Sequence, residues 1–293
     1  MSRVRAARAS ALIAAVLAFS AAAAVATEAE VLARFRKAFD PATLAPASER
    51  AAAAVAVGTV EGRSGPEAVC RALAGTLDRA ESLALERSRG REEMGRIQDL
   101  DQAAGNTTTP ERKARLEFLR GQEETLRERG EDEGRVEAAL RGALGHFIDP
   151  RALEWLAGSG IRGSPQAAIR AACADALGGS GSSDPAVIRS VRGALKDKEA
   201  LVREAALKAV ALLRGKEEET LGDLAISLED PRWTVRLAAA RRLAGMGVPR
   251  SVDLIVARLP KEEGQVAEAF GELLGSLTGQ RFGTEADGWK RWW

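Results

Sequence analysis

The chain has 293 residues, 45% of them hydrophobic but only 4% aromatic and none of them Tyr, and Ala and Leu dominate the apolar content. That balance favours helices over sheets, because a pleated, half-buried surface selects β-branched and aromatic side chains. With 43 basic and 42 acidic residues, a formal charge of +1, it lacks the positive excess of a nucleic-acid binder.

The segment 1–26 carries the three parts of a secretory signal. Arg3, Arg5 and Arg8 form a basic start, residues 11–25 are an apolar run without charge, and Ala24-Val25-Ala26 is a small-x-small cleavage site before Thr27. The run falls short of the ~20 apolar residues that span a bilayer, which favours a cleaved signal over a membrane anchor. No Cys follows it to carry a lipid. Export to the periplasm or medium is expected, with cleavage after Ala26. The mature chain would then hold 40 basic and 42 acidic residues, a net charge of −2, and neither nucleic-acid binding nor membrane insertion is expected of it. Export permits disulfides, and for Cys70 and Cys173, both on apolar helices, two buried thiols and a Cys70–Cys173 bridge are the alternatives.

Residues 27–65 read as a helix pair, 31–39 with 49–60, in which Arg50 precedes a run of Ala. Residues 66–148 read as a long, coiled-coil-like antiparallel helical hairpin that turns at 105–110, with Leu77, Met94, Ile97 and Leu100 facing Leu116, Leu119 and Leu126. Its mixed charges suit a solvated surface or, alternatively, a partner-binding arm. Gly90, Gly95, Gly121, Gly130 and Gly134 each cost about 1 kcal/mol against Ala in a helix, so the hairpin is expected to be the least stable part. Asn106-Thr107-Thr108 matches a glycosylation acceptor, a weak three-residue signal.

Residues 149–276 repeat themselves. Ile169-Arg170 is followed by Ala172-Cys173, Val202-Arg203 by Ala205-Ala206 and Val235-Arg236 by Ala238-Ala239, at a fixed step of 33. Ser164, Asp197 and Asp230 precede these helices in register as N-cap candidates, and Leu177, Val210 and Leu243 recur on the apolar side. The preceding helices answer one another as Ile188, Val191 and Leu195, then Leu221, Leu224 and Leu228, then Val252, Ile255 and Leu259 after a two-residue deletion. The helix pairs fall at 150–178, 185–213, 217–245 and 250–276.

This pattern resembles the HEAT repeat, and the run from Leu228-Glu229-Asp230-Pro231 to Val235-Arg236 follows it closely. The resemblance implies an all-α, right-handed α-solenoid with an armadillo-like superhelix. It also implies a structural ladder of Asp197 and Asp230 with Arg170, Arg203 and Arg236, weakened at its ends where Ser164 and Ala267 depart from the pattern. Such a stack works through a concave face lined by its second helices. Asp175, Lys208 and Arg241 project there, with Arg170, Glu204 and Trp233 nearby, and for Trp233 beside its Pro turn simple packing between repeats and a role as contact anchor are the alternatives.

Residues 277–293 break the repeat and hold three Trp in the last five positions, expected as an aromatic cap over the last face of the stack, with a ligand cage as the alternative. A Gly-Gln-x-Phe-Gly-type loop before a Trp-rich helix also resembles the ending of exported bacterial HEAT proteins.

The inventory for chemistry is thin. His146 is the only His, and there is no Cys-x-x-Cys, His-Glu-x-x-His or P-loop, so no catalytic residue, metal or cofactor is expected. The expectation is a non-enzymatic exported scaffold for a protein partner. Some similar HEAT proteins are bilin lyases and others act in nucleic-acid repair, and these are the alternatives that the resemblance carries. Mass spectrometry of the purified protein should find a chain beginning at Thr27; one beginning at Met1 or Ser2 contradicts cleavage.

Overall fold

The computed structural model describes residues 26–213 and 217–293, so the expected signal lies outside the described residues except for Ala26. Among the described residues all regular structure is helical. The chain divides into two compact units, one ending at Leu144 and one beginning at Gly145.

In the N-terminal unit, α1 (Glu28–Ala38) opens with a capping box in which the Thr27 hydroxyl accepts from the Glu30 N–H and the Glu30 carboxylate accepts from the Thr27 N–H at 2.8 Å. α2 (Ala47–Val57) is so rich in Ala that it is buried on almost every side. Two long helices follow, α3 (Ser64–Ala103) and α4 (Pro110–Leu144), packed as an antiparallel hairpin. Core residues cluster at its root, where Phe35 and Val57 join Val69 and Leu73 of α3 and Val136, Leu140 and Leu144 of α4.

Towards the turn the core thins. Leu119 is buried and Leu77, Met94, Ile97, Leu116 and Leu126 are half-buried, but Leu100 is exposed, contrary to its expected place between the arms. Charge pairs take over there. Arg91 donates to Glu123 at 2.8 Å, Arg115 to Glu93 at 2.7 Å and Arg112 to Asp101 at 3.0 Å, each crossing from one arm to the other. Pairs of this kind are screened by solvent and add little to stability.

In the C-terminal unit, α5 (Pro150–Trp155) runs on into a π-helical stretch, Leu156–Gly163. The following helices are α6 (Ala167–Gly179), α7 (Pro185–Ala194), α8 (Ala200–Leu212), α9 (Glu217–Ser227), α10 (Trp233–Met246), α11 (Pro249–Arg258), α12 (Gly264–Thr278) and α13 (Ala286–Trp292). Odd-numbered α5 to α11 are the first helices of four antiparallel pairs, and the second helices α6, α8, α10 and α12 pack in succession, which makes the unit an α-solenoid. Pro at the first turn and Asp caps start several first helices: Asp149 accepts from the N–H groups of Arg151 and Ala152, and Asp184 from that of Ala186.

Small residues set the spacing of the second helices. A Cβ added at Gly178 on α6 would lie 2.5 Å from the Ala209 Cα on α8, so the backbones meet where only hydrogen fits. Leu177, Val210 and Leu243 are buried in the layer between pairs. Cys173 is a buried thiol seated against Gly160, where a Cβ would approach its Sγ to 2.6 Å, and Cys70 is a buried thiol of the N-terminal unit; neither forms a disulfide.

The last face is covered by α13. Trp289 is fully buried among Phe270 and Leu274, its Nε1 donates to the Gly283 carbonyl at 2.8 Å, and the Phe282 ring meets it edge-on. Trp292 and Trp293 stay partly in solvent, the latter donating to Asp253 at 2.6 Å. One indole, rather than three, closes the core.

Two Gly→Ala substitutions should therefore act in opposite directions. At Gly95 nothing lies within 4 Å of an added Cβ, so Gly95→Ala should stabilise the hairpin by about 1 kcal/mol. Gly178→Ala should destabilise the C-terminal unit by about 1–3 kcal/mol. Urea titration followed by circular dichroism measures both, and equal effects contradict the packing described.

Candidate functional site

Three arginines, one near the start of each of the second helices α6, α8 and α10, organise the C-terminal unit. The Arg170 guanidinium donates Nε and Nη2 to the two carboxylate oxygens of Asp197, both at 2.8 Å, and Nη1 to the carbonyls of Ser164 and Pro165. Arg203 repeats this with Asp230 at 2.7 and 2.8 Å and with the carbonyls of Asp197 and Lys198. Arg236 does the same with Glu262 at 2.6 and 2.8 Å and with the carbonyls of Asp230 and Pro231. Each rung thus ties a helix to the turn before it and to the turn of the next pair.

This corrects one expectation and bounds the ladder at both ends. Asp197 and Asp230 do not cap α8 and α10; each accepts from the N–H two residues on, Glu199 or Arg232, and gives its carboxylate to the preceding pair's arginine. Ser164 accepts from Arg170 only through its backbone carbonyl and has no carboxylate to offer an earlier arginine, so the rungs begin at Arg170. Ala267 stands where an arginine would start a fourth rung, so the ladder ends at Glu262, which Arg236 holds and which also accepts from Arg258 at 2.6 Å. The rungs span 27, 27 and 26 residues, and the longer Glu side chain replaces Asp where the spacing shortens.

The N-terminal unit contains a rung of its own. Arg50, buried on α2, donates to the Ala45 carbonyl five residues back and makes a bidentate pair with Glu133 of α4 at 2.8 and 2.6 Å. Arg79 adds a bond to the same carboxylate at 3.1 Å. The acid comes here from the long hairpin instead of from a neighbouring pair.

Among the candidate binding residues, Asp175, Lys208 and Arg241 are exposed at equivalent positions of α6, α8 and α10, and Glu204 is half-buried. Arg170 leaves the set, since it is buried and engaged in the first rung. Trp233 is the first residue of α10 and is 52% exposed. It overhangs a groove of about 520 Å³ between α10 and α12, with Leu237, Val266 and Ala269 as apolar lining and Arg241 and Lys261 as cations. The structure thus unites Trp233 with Arg241, while Asp175, Lys208 and Glu204 lie outside that groove.

The third rung, Arg236 with Glu262, also lines the groove. Sequence reasoning missed Glu262, Val266 and Ala269 because the deletion in the last pair shifts them off the step of 33. Among the described residues no group of three His, Cys, Asp or Glu side chains is placed to hold a metal ion, and no helix is long and apolar enough to cross a membrane.

A helical solenoid stitched by buried arginine–carboxylate rungs is the class that this geometry defines. Residues 194–275, which span the second and third rungs, match the family model of HEAT repeats. No curated protein matches the chain.

The rungs have an electrostatic signature. Donation from Arg170 lowers the Asp197 pKa against the opposing effect of burial. For Asp230 burial pushes upward, but donation from Arg203 and the Arg232 N–H and the charges of Arg203 and Arg236 together lower the value; Glu262 behaves likewise under Arg236 and Arg258. A carboxyl group whose folded pKa lies below its unfolded value of about 4 contributes stability that is present above that value and is lost as pH falls through the folded one. The melting temperature should hold from neutral pH down to about pH 5 and fall below it, and Asp230→Asn should flatten that acid limb. An unchanged acid limb in the variant would contradict the assignment.

Proposed function

We propose that the protein is an exported, non-catalytic scaffold that binds a segment of a protein partner in the groove between α10 and α12. The observation that carries this reading is Trp233, a large aromatic side chain left half in solvent at the mouth of a groove that combines Leu237, Val266 and Ala269 with charged residues, Arg241 among them. Exposed Trp and Arg residues next to an apolar pocket are the side chains that dominate protein interfaces. Similarity of residues 194–275 to HEAT repeats, which commonly serve protein interaction, supports the same reading.

The buried third rung gives the groove a rigid wall, so little conformational entropy is lost when a partner docks. His146, the single His of the chain, is exposed beyond the end of α4 and takes no part in the groove. Export is supported by the signal-like segment 1–26. It is also supported by the capping box, whose N-cap, Thr27, is the residue that cleavage would leave first.

The reading is tested by affinity capture from envelope extract with the wild-type protein and a Trp233→Ala, Arg241→Glu variant. Loss of about 2 kcal/mol at a central anchor corresponds to roughly 30-fold weaker binding, and captured partners should fall accordingly. Both side chains are exposed, so the melting curve should be unchanged. Equal recovery by a folded variant removes the groove from the account.

A further inference from the structure

A second cavity, of about 720 Å³, opens between the first two helix pairs of the C-terminal unit, bounded by Ile161 and Ser164 on one side and by Ala186, Ser190 and Gly193 of α7 on the other. Arg162, Arg189 and Lys198 line it, all three exposed. None of these three side chains has a hydrogen bond or an ion pair among the described residues. Arg170 and Asp197, also in the lining, neutralise each other as the first rung. The lining therefore holds four cations against one acid, Asp197, which is engaged by Arg170 and also feels the charge of Lys198.

The next step of the same stack shows what is missing. One repeat step beyond Ala186 and Ser190, α9 carries Glu219 and Asp223. There the two carboxylates converge on Arg192 of α7, Asp223 at 2.8 Å from its Nε. Between the first two pairs all three have uncharged equivalents, Ser159 for Arg192, Ala186 for Glu219 and Ser190 for Asp223, and the space is lined instead by cations at other positions, Arg162, Arg189 and Lys198.

The π-helical stretch supplies an independent observation. A π turn takes up one residue more than an α turn, so it shifts the register of the residues after it. Ile161 is buried, and Arg162, which stands one repeat step before the partly buried Leu195 and two before the buried Leu228, is turned outward to the cavity. Ser190 donates to the Ala157 carbonyl within that stretch and fixes α7 against it. Such local departures from the α-helical ladder are frequent at functional sites.

We propose that this cavity binds paired carboxylates presented by an acidic segment of a protein partner, held by Arg162 and Arg189 with Lys198 beside them. Arginine forks match carboxylates with two parallel hydrogen bonds, and the cavity has the size of a specific pocket rather than of a flat surface patch. The site is separate from the groove beside Trp233 and stands or falls independently of it.

The test uses the full mature chain and a fluorescein-labelled hexaglutamate peptide, followed by anisotropy at low ionic strength, where surface charges are least screened. Arg162→Gln with Arg189→Gln should weaken binding at least tenfold while leaving the melting temperature unchanged. Lys290→Gln with Arg291→Gln, which removes the same charge elsewhere, should leave binding unchanged. Citrate should displace the peptide if the shared chemistry is that of clustered carboxylates. Absence of peptide binding, or binding that Arg162→Gln with Arg189→Gln does not weaken, overturns the proposal. Binding of citrate without binding of the peptide overturns the peptide assignment and gives the site to a small polycarboxylate.

Discussion

One interaction sets the geometry of the C-terminal unit: a buried guanidinium that makes four hydrogen bonds, two to a carboxylate of the next helix pair and two to carbonyls of its own turn. Arginine suits the task because its planar fork presents donors in fixed directions and keeps its charge when buried. A rung of this kind need not add net stability over a well-packed apolar substitute, since removing both charges from water is costly. What it does is specify. The turn before each second helix has carbonyls that no helix satisfies, and the rung satisfies them while locking the register of one pair on the next.

The packing of the second helices follows from that register. Gly178 can meet Ala209, and the layer of Leu177, Val210 and Leu243 can interdigitate, only if successive pairs repeat their offset. The groove beside Trp233 inherits the same constraint, because its wall is the third rung. In the N-terminal unit Arg50 and Glu133 meet the same demand with an acid from a different kind of element. Away from that pair the hairpin relies on exposed charge pairs and a thinning apolar seam, so rigidity there falls with distance from the root.

Much of this was legible in the residues because each rung recurs at a countable step. The Arg-x-Ala-Ala signature located the second helices, and Arg50 before its Ala run pointed to the only comparable helix upstream. What was not legible has physical causes. The resemblance already implied that Asp197 and Asp230 pair with arginines, but they also look like N-caps from their position, and only the structure shows that each carboxylate goes to the preceding pair's arginine and caps no helix. Glu262 fell off the repeat step, and its longer side chain hid the fact that it does an aspartate's work. Arg170 looked available because sequence spacing places it near a surface without saying that it is enclosed. Leu100 followed a helical stripe that the arms leave open to solvent near their turn. The π-helical register shift that turns Arg162 outward leaves no pattern in a sequence read with α-helical periodicity.

The central claim is that the rungs couple neighbouring helix pairs energetically instead of merely coexisting with their packing. A double-mutant cycle on Arg203→Ala and Asp230→Ala, measured by urea unfolding, isolates that coupling. The account predicts that each single substitution costs about 3–5 kcal/mol, because it strands a buried charge, and that the double variant costs far less than their sum, with a coupling of at least about 1.5 kcal/mol. Additive losses, with a coupling near zero, would contradict it.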